Sequence, residues 1–316
     1  MNERGYPNKE FRKLVEYSNE ARKNKRIKFY EHKKPREINW NAYTLSQIKD
    51  AKETLLFIKN TVENCILPKR KAGRPTNYKN LAKAILICES LGFTERKAEG
   101  WLEIIGPFAG IYEKLDDRVI GNAYNNPEVA FILKQIFDKN KDSDGKLMGD
   151  GSGLETSRRQ NYGINSKSTK EFLTSIVDSR EIVQAFDFSG KDESKAMHEL
   201  INIVDGDSLA LDSGFNDREL VRKIVEKNII PYIYPKKNNK INGGNGWTEM
   251  YLDFFTDVIA WLTEYYQRVH CESFHSAFKR VYGIVSKIRV HSKFVQVSAR
   301  IILHNRARLS YFRKLK

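Results

Sequence analysis

Two short apolar runs, each closing on an aspartate, constrain this chain most: Lys146-Leu-Met-Gly-Asp150 and Ser208-Leu-Ala-Leu-Asp212. Runs of this length, bounded by turn residues, read as buried strands. Between them, residues 171–178 and 180–188 form two more apolar stretches with a tight connection, the pattern of a hairpin. Residues 192–204 follow a helical period, with Ala196, Met197, Leu200, Ile201 and Val204 on one side. After Asp212 a second helix is expected over 217–228, then a strand over 229–234 and a Gly- and Asn-rich loop over 238–246. A long helix is expected from about Thr248, through Glu272, to about Val281. The order is three strands, helix, strand, helix, strand, helix. The first three strands can form an antiparallel meander, and the later two, reached through helices, should run parallel to the first. The expected class is α/β, with Asp150 and Asp212 each closing a strand, where neighbouring parallel strands open on a crevice.

The first half of the chain reads as helical. Residues 1 to about 40 form a basic arm with helical character around Phe11–Ala21, and a helix is expected from about Leu45 to Val62. Pro68 to Pro75 has the Pro and Gly content of a linker, and its Gly-Arg-Pro core also suits a minor groove. Residues 78–105 read as two helices around a break at Gly92, with Thr94 as an N-cap. That is the helix-turn-helix pattern, which many helical hairpins share without touching DNA. Another helix is expected over Pro127–Lys139. The expected division is a basic arm and helix (1–70), a helical, helix-turn-helix-like DNA-binding region (71–140) and a catalytic α/β domain with a basic tail (141–316).

Charge narrows the partner. Lys and Arg number 55 against 40 acids, a formal net charge of +15. Such a balance suits a polyanion, either nucleic acid or an anionic membrane surface; the alternative is a soluble protein that is merely basic. No apolar run approaches the roughly 20 residues that span a bilayer, and the polar start Met1-Asn2-Glu3-Arg4 does not read as a secretory signal. Cys65, Cys88 and Cys271 have no CxxC pairing, so a reducing interior is expected rather than a disulfide or zinc framework. The charges are uneven. Beyond Glu272 there is no acid, but Lys279, Arg280, Lys287, Arg289, Lys293, Arg300, Arg306, Arg308, Arg313, Lys314 and Lys316 are all cationic. The N-terminal arm carries Arg22, Lys23, Lys25, Arg26 and Lys28, and aromatic residues interleave both ends. Two basic zones favour a long polyanion over a small acidic ligand.

The acids suggest chemistry. Two carboxylates at neighbouring strand ends repel unless a cation lies between them, and Mg²⁺ takes hard oxygen ligands from one or two carboxylates plus phosphate. Either aspartate alone reads equally as an ordinary strand-to-turn residue. The long helix adds a third acid. At about 100° per residue, Tyr265, Arg268, Glu272, His275 and Lys279 fall on one stripe, so basic groups flank a single carboxylate. Asp187, Asp205, Asp207, Asp253, Asp257 and Glu264 read as structural. His275, one turn from Glu272, is a candidate DNA contact.

The spacing Tyr265-x-x-Arg268-x-x-x-Glu272-x-x-x-x-x-x-Lys279 resembles the Tyr-Arg-Glu-Lys signature of DDE transposases from prokaryotic insertion sequences. Gly149-Asp150-Gly-Ser and Leu211-Asp212-Ser-Gly-Phe are similar to that family's first and second acidic motifs. The resemblance runs from about Arg74 to the C-terminus. It implies a ribonuclease H-like mixed sheet flanked by helices, and a triad of Asp150, Asp212 and Glu272 holding two Mg²⁺, with Mn²⁺ as a substitute. It also implies phosphate contacts from Arg268 and Lys279, and from Tyr265 either a hydrogen bond to a phosphate or packing against a base. The partners it implies are double-stranded DNA, both terminal inverted repeats and target, and a second copy of the chain in the DNA complex. It places the protein at the nucleoid of a prokaryotic cytoplasm, with no membrane partner. Some relatives insert a long β-rich domain between the second Asp and the Glu. Only 59 residues separate Asp212 from Glu272 here, so a loop or short hairpin is expected at 236–247. A DNA-binding regulator or an inactive transposase remnant would need the basic surfaces but not the three acids.

Overall fold

The computed structural model describes residues 8–23, 38–67, 77–157, 169–190, 192–244 and 246–315. Its centre is a sheet of five strands: β1 (Lys146–Thr156), β2 (Thr169–Asp178), β3 (Val183–Asp187), β4 (Ser208–Leu211) and β5 (Ile230–Ile233). Their order across the sheet is β3-β2-β1-β4-β5. The first three are antiparallel neighbours, and β4 and β5 run parallel to β1. The meander and the two parallel additions therefore follow the expected order.

The alternation of side chains along β1 and β2 sends residues to two cores. Met148, Leu154, Leu173 and Val177 join one hydrophobic cluster, while Leu147 and Ile176 join the other. The first cluster lies under α3 (Asp50–Glu63), α4 (Tyr78–Leu91), α5 (Glu95–Ile105), α6 (Asp117–Ala123), α7 (Pro127–Lys139), α12 (Val269–Tyr282) and α13 (Val290–Arg313). The second gathers α1 (Asn8–Lys23), α8 (Glu193–Leu200), α9 (Arg218–Glu226), α10 (Trp247–Thr256) and α11 (Val258–Tyr265). Phe11 and Val15 of α1 are fully buried, with Phe11 5.2 Å from the Tyr251 ring. The helices of residues 78–139 thus share a core with the sheet and with α13, which packs on α4 and α7.

Two expected helices are broken. The segment 45–62 becomes α2 (Trp40–Ile48) and α3, which meet at Lys49. The helix expected over 248–281 becomes α10, α11, a 3₁₀ turn (Tyr266–Arg268) and α12. Asp257 leaves helical geometry at φ −139°, and its carboxylate accepts the Ala260 N–H, so it caps a new helix rather than continuing the old one. The turn between α4 and α5 matches expectation: Gly92 closes α4 at φ 64°, a left-handed conformation that glycine adopts without strain. The loop over 236–247 holds no strand among the described residues. The Gly-Arg-Pro segment and most of the basic arm fall outside the described residues, and no helix among those described is long and apolar enough to cross a membrane.

The C-terminal cations are largely spent inside the fold. Lys287 pairs with Glu95, Lys293 with Glu171, Arg300 with Glu89, Arg306 with Asp50 and Glu53, Arg308 with Glu181 and Lys314 with Glu53. What reads as a basic tail is a buried helix, tied by salt bridges to α3, α4 and the sheet.

Candidate active site

The site is built where β4 ends beside the middle of β1. In the β1–β4 register Gly149 lies beside Leu211, so Asp150 and Asp212 follow side by side; β4 stops there, but β1 does not close on Asp150 as expected and runs on to Thr156, with Asp150 paired to Ser175 of β2. Asp150 shares the face of Met148 and Ser152, towards α12. The opposite face of this stretch is glycine for a reason: a Cβ on Gly149 would overlap Leu211 and Met197, and one on Gly151 would overlap the Glu193 carboxylate. Close cover by α8 therefore excludes side chains there.

The 3₁₀ turn at Tyr266–Arg268 packs on both β1 and β4. It delivers Arg268 between the strand ends and Glu272. The guanidinium donates from Nη2 to Glu272 Oε1 at 2.5 Å, and only 18% of the Arg268 side chain is exposed, against 49% for Glu272. Burial raises the Asp150 carboxyl above its usual range. The Gly151 N–H and the Arg268 charge oppose that rise, while the charges of Asp212 and Glu272 add to it. Burial pulls the Arg268 guanidinium down, but Tyr265, Glu272, Asp212 and Asp150 together outweigh it and hold the group more firmly charged. Asp150, Asp212, Glu272 and Arg268 therefore form one electrostatic cluster, in which a half-buried cation partly offsets three acids.

Lys279 and Tyr265 take different positions. Lys279 is exposed and donates to Ser152 Oγ at 2.6 Å, two residues along β1 from Asp150. Tyr265 is fully buried. Its ring stacks on Trp261 at 5.4 Å and lies 5.9 Å from the Arg268 guanidinium, so it forms a floor under that arginine. The stripe calculated for an unbroken helix had placed Tyr265 on the DNA side; the 3₁₀ turn rotates it into the core. His275 is likewise no surface contact. It is buried, 3.3 Å from Ser175 Oγ, and burial pushes its imidazole down to about 4, partly opposed by the Asp150 backbone. A neutral His275 thus ties α12 to β2.

Two further residues belong to the neighbourhood. Ser152 orients Lys279. Glu193, in the first turn of α8, lies over Gly151 and reaches the same site from the other face of the sheet. Its carboxyl is raised by burial, then by the Asp150 charge, then by Asp192. Gly149 and Gly151 are the sequence signal that something packs tightly there.

Among the described residues, no three His, Cys, Asp or Glu side chains stand close enough to grip a metal ion as they are turned here. The donor chemistry fits one nevertheless. The Asp150 carboxyl, raised first by burial, also feels the Asp212 and Glu272 charges, Glu272 is paired with Arg268, and hard carboxylate oxygens of this kind suit a divalent cation. Comparison with protein-family models, with curated proteins and with solved structures finds no match to this chain.

Proposed function

We propose that the chain is a DNA transposase of the DDE type, with a ribonuclease H-like catalytic core, that cuts and joins DNA at the ends of an insertion sequence. The observation that carries this reading is the electrostatic cluster of Asp150, Asp212 and Glu272 around Arg268, where β4 ends beside the parallel strand β1. The strand order β3-β2-β1-β4-β5, with an antiparallel meander and two parallel additions, supports the fold assignment. A regulator that only binds DNA has no use for three acids crowded at a cost in solvation.

Asp150, Asp212 and Glu272 would hold two Mg²⁺, or Mn²⁺ in their place. Bound there, the pair supplies Lewis acidity to an in-line phosphoryl transfer. The chain's own groups do the rest. Arg268 turns from Glu272 to a DNA phosphate and neutralises charge beside the scissile bond. Lys279, held by Ser152 at the rim, takes a phosphate on the strand leading away. Tyr265 fixes Arg268 from below rather than touching DNA. The paired helices α4 and α5 form the N-terminal DNA-binding region, with Arg96 and Lys97 exposed on α5. The partners are terminal inverted repeats and target DNA, and a second copy of the chain joins two ends in the nucleoid.

The test is strand cleavage of a labelled duplex in Mg²⁺ by the full chain and by Asp150→Ala. Loss of cleavage in the variant, with duplex affinity retained, is expected. Equal cleavage by both proteins would remove the triad.

A further inference from the structure

The loop that joins α12 to α13 presents aliphatic side chains to solvent in a way the rest of the site does not explain. Val281 is 70% exposed, Ile284 50%, Ile288 52% and Val290 59%. Exposed cations stand among them: Arg280 and Arg289. Acids are absent from the whole segment beyond Glu272.

This loop is held in place. Val285 points inward and is fully buried, its N–H bonded to Glu155 O and its carbonyl accepting from Ser157 N, both at 2.9 Å. The buried Gln296 accepts from Ser286 N at 3.0 Å and from Lys287 N at 3.1 Å. Arg300 Nη1 donates to Ile284 O at 3.1 Å, and Lys287 is tied to Glu95. The backbone is stapled to the end of β1 and to α13, so the half-exposed positions of Ile284 and Ile288 are built in. Both side chains line one wall of an open groove of about 600 Å³, with Arg289 beside them and Phe93, Thr94 and Glu95 across it.

We infer that the loop 283–290 is a groove-inserting wedge that kinks duplex DNA beside the cleavage site. Three observations favour DNA over another polyanion surface. The loop continues the helix that carries Glu272 and Lys279. It is bonded to the strand that carries Asp150. Its stiff β-branched side chains lose little freedom when inserted, and apolar wedges flanked by arginine are how proteins unstack a base step from the minor groove. The six residues from Asp150 to Thr156 span about 20 Å. At about 3.4 Å per base pair, the wedge meets the duplex roughly six base pairs from the reacting phosphate.

The inference rests on the DNA-binding part of the proposed function and is independent of catalysis, so it is tested in EDTA. A 40-bp duplex carrying a donor and an acceptor dye at its two ends is titrated with the full chain. Binding is expected to shorten the end-to-end distance, as a kink of about 20–90° would. The variant Ile284→Ser/Ile288→Ser, altered only at exposed side chains, is expected to bind within about fivefold of wild type with the shortening lost. The idea fails if wild type binds without shortening the duplex, or if the double variant shortens it equally. It also fails if phosphatidylglycerol vesicles compete the protein off the duplex and the double variant abolishes only vesicle binding. Failure of the cleavage test with Asp150→Ala would leave these outcomes unaffected.

Discussion

Arg268 occupies ground that a divalent cation would need, so its removal has a calculable effect. Its guanidinium donates to Glu272 at 2.5 Å and interacts with Asp150 and Asp212 as well. A unit charge pair at 4 Å is worth about 1 kcal/mol in water and about 4 kcal/mol at an effective dielectric of 20, and a divalent ion doubles this. Glu272 is half-exposed, so the lower end applies, about 2 kcal/mol of repulsion between Arg268 and a bound Mg²⁺ or Mn²⁺. Arg268→Gln is therefore expected to bind Mn²⁺ roughly 30-fold more tightly, measured by paramagnetic resonance of free Mn²⁺ in a titration. Cleavage should fall in the same variant, because the phosphate contact is lost. Lys279→Gln, further along α12, should change Mn²⁺ affinity far less. Unchanged or weaker binding by Arg268→Gln would refute the argument that the arginine and the metals share one pocket.

Other consequences concern stability. Burial pushes His275 and His304 each down to about 4, so the folded chain refuses protons that the unfolded chain takes up near pH 6.5. The stability tied to each neutral ring is present above pH 6.5 and is lost as pH falls from there towards 4, on the order of 3 kcal/mol per residue. Thermal melts should show His304→Gln losing less between pH 7 and pH 4.5 than wild type; an identical loss would contradict this. Glu89 accepts from Arg300, Gln296 and Tyr124 in a buried network joining α4 to α13. Glu89→Ala leaves Arg300 uncompensated and should cost about 3–5 kcal/mol in a denaturant melt. Gly151→Ala forces Glu193 aside and should cost about 1–3 kcal/mol, with Gly151→Ala/Glu193→Ala recovering much of it.

Much of the sheet was legible because buried strands leave a simple signature. Apolar runs of the right length marked where β1 starts and where β4 lies, but β1 runs on past Asp150 to Thr156, because pairing with β2 carries the strand through Gly151, Ser152 and Gly153, which have no apolar pattern. The α12 stripe was legible only in part. Arg268, Glu272 and Lys279 keep their common side, but Tyr265 does not, since apolar periodicity runs unbroken through Asp257 and through the 3₁₀ turn at 266–268. Periodicity registers burial, and both α10 and α11 are buried helices. Glu193 stayed hidden because an acid in the first turn of a helix is explained by the helix dipole alone. The meaning of the C-terminal cations was hidden for another reason. Composition records charge but not its partner, and Asp50, Glu53, Glu89, Glu171 and Glu181 lie far upstream.

The central claim is that Asp150, Asp212 and Glu272 share divalent cations, and diffraction from crystals grown in Mn²⁺ measures it directly. Anomalous density is expected at one or two positions bounded by these three carboxylates, with oxygen distances of about 2.0–2.2 Å and with Arg268 swung away from Glu272. Anomalous density elsewhere on the molecule, with the Arg268–Glu272 pair intact and the three acids bare, would contradict the account.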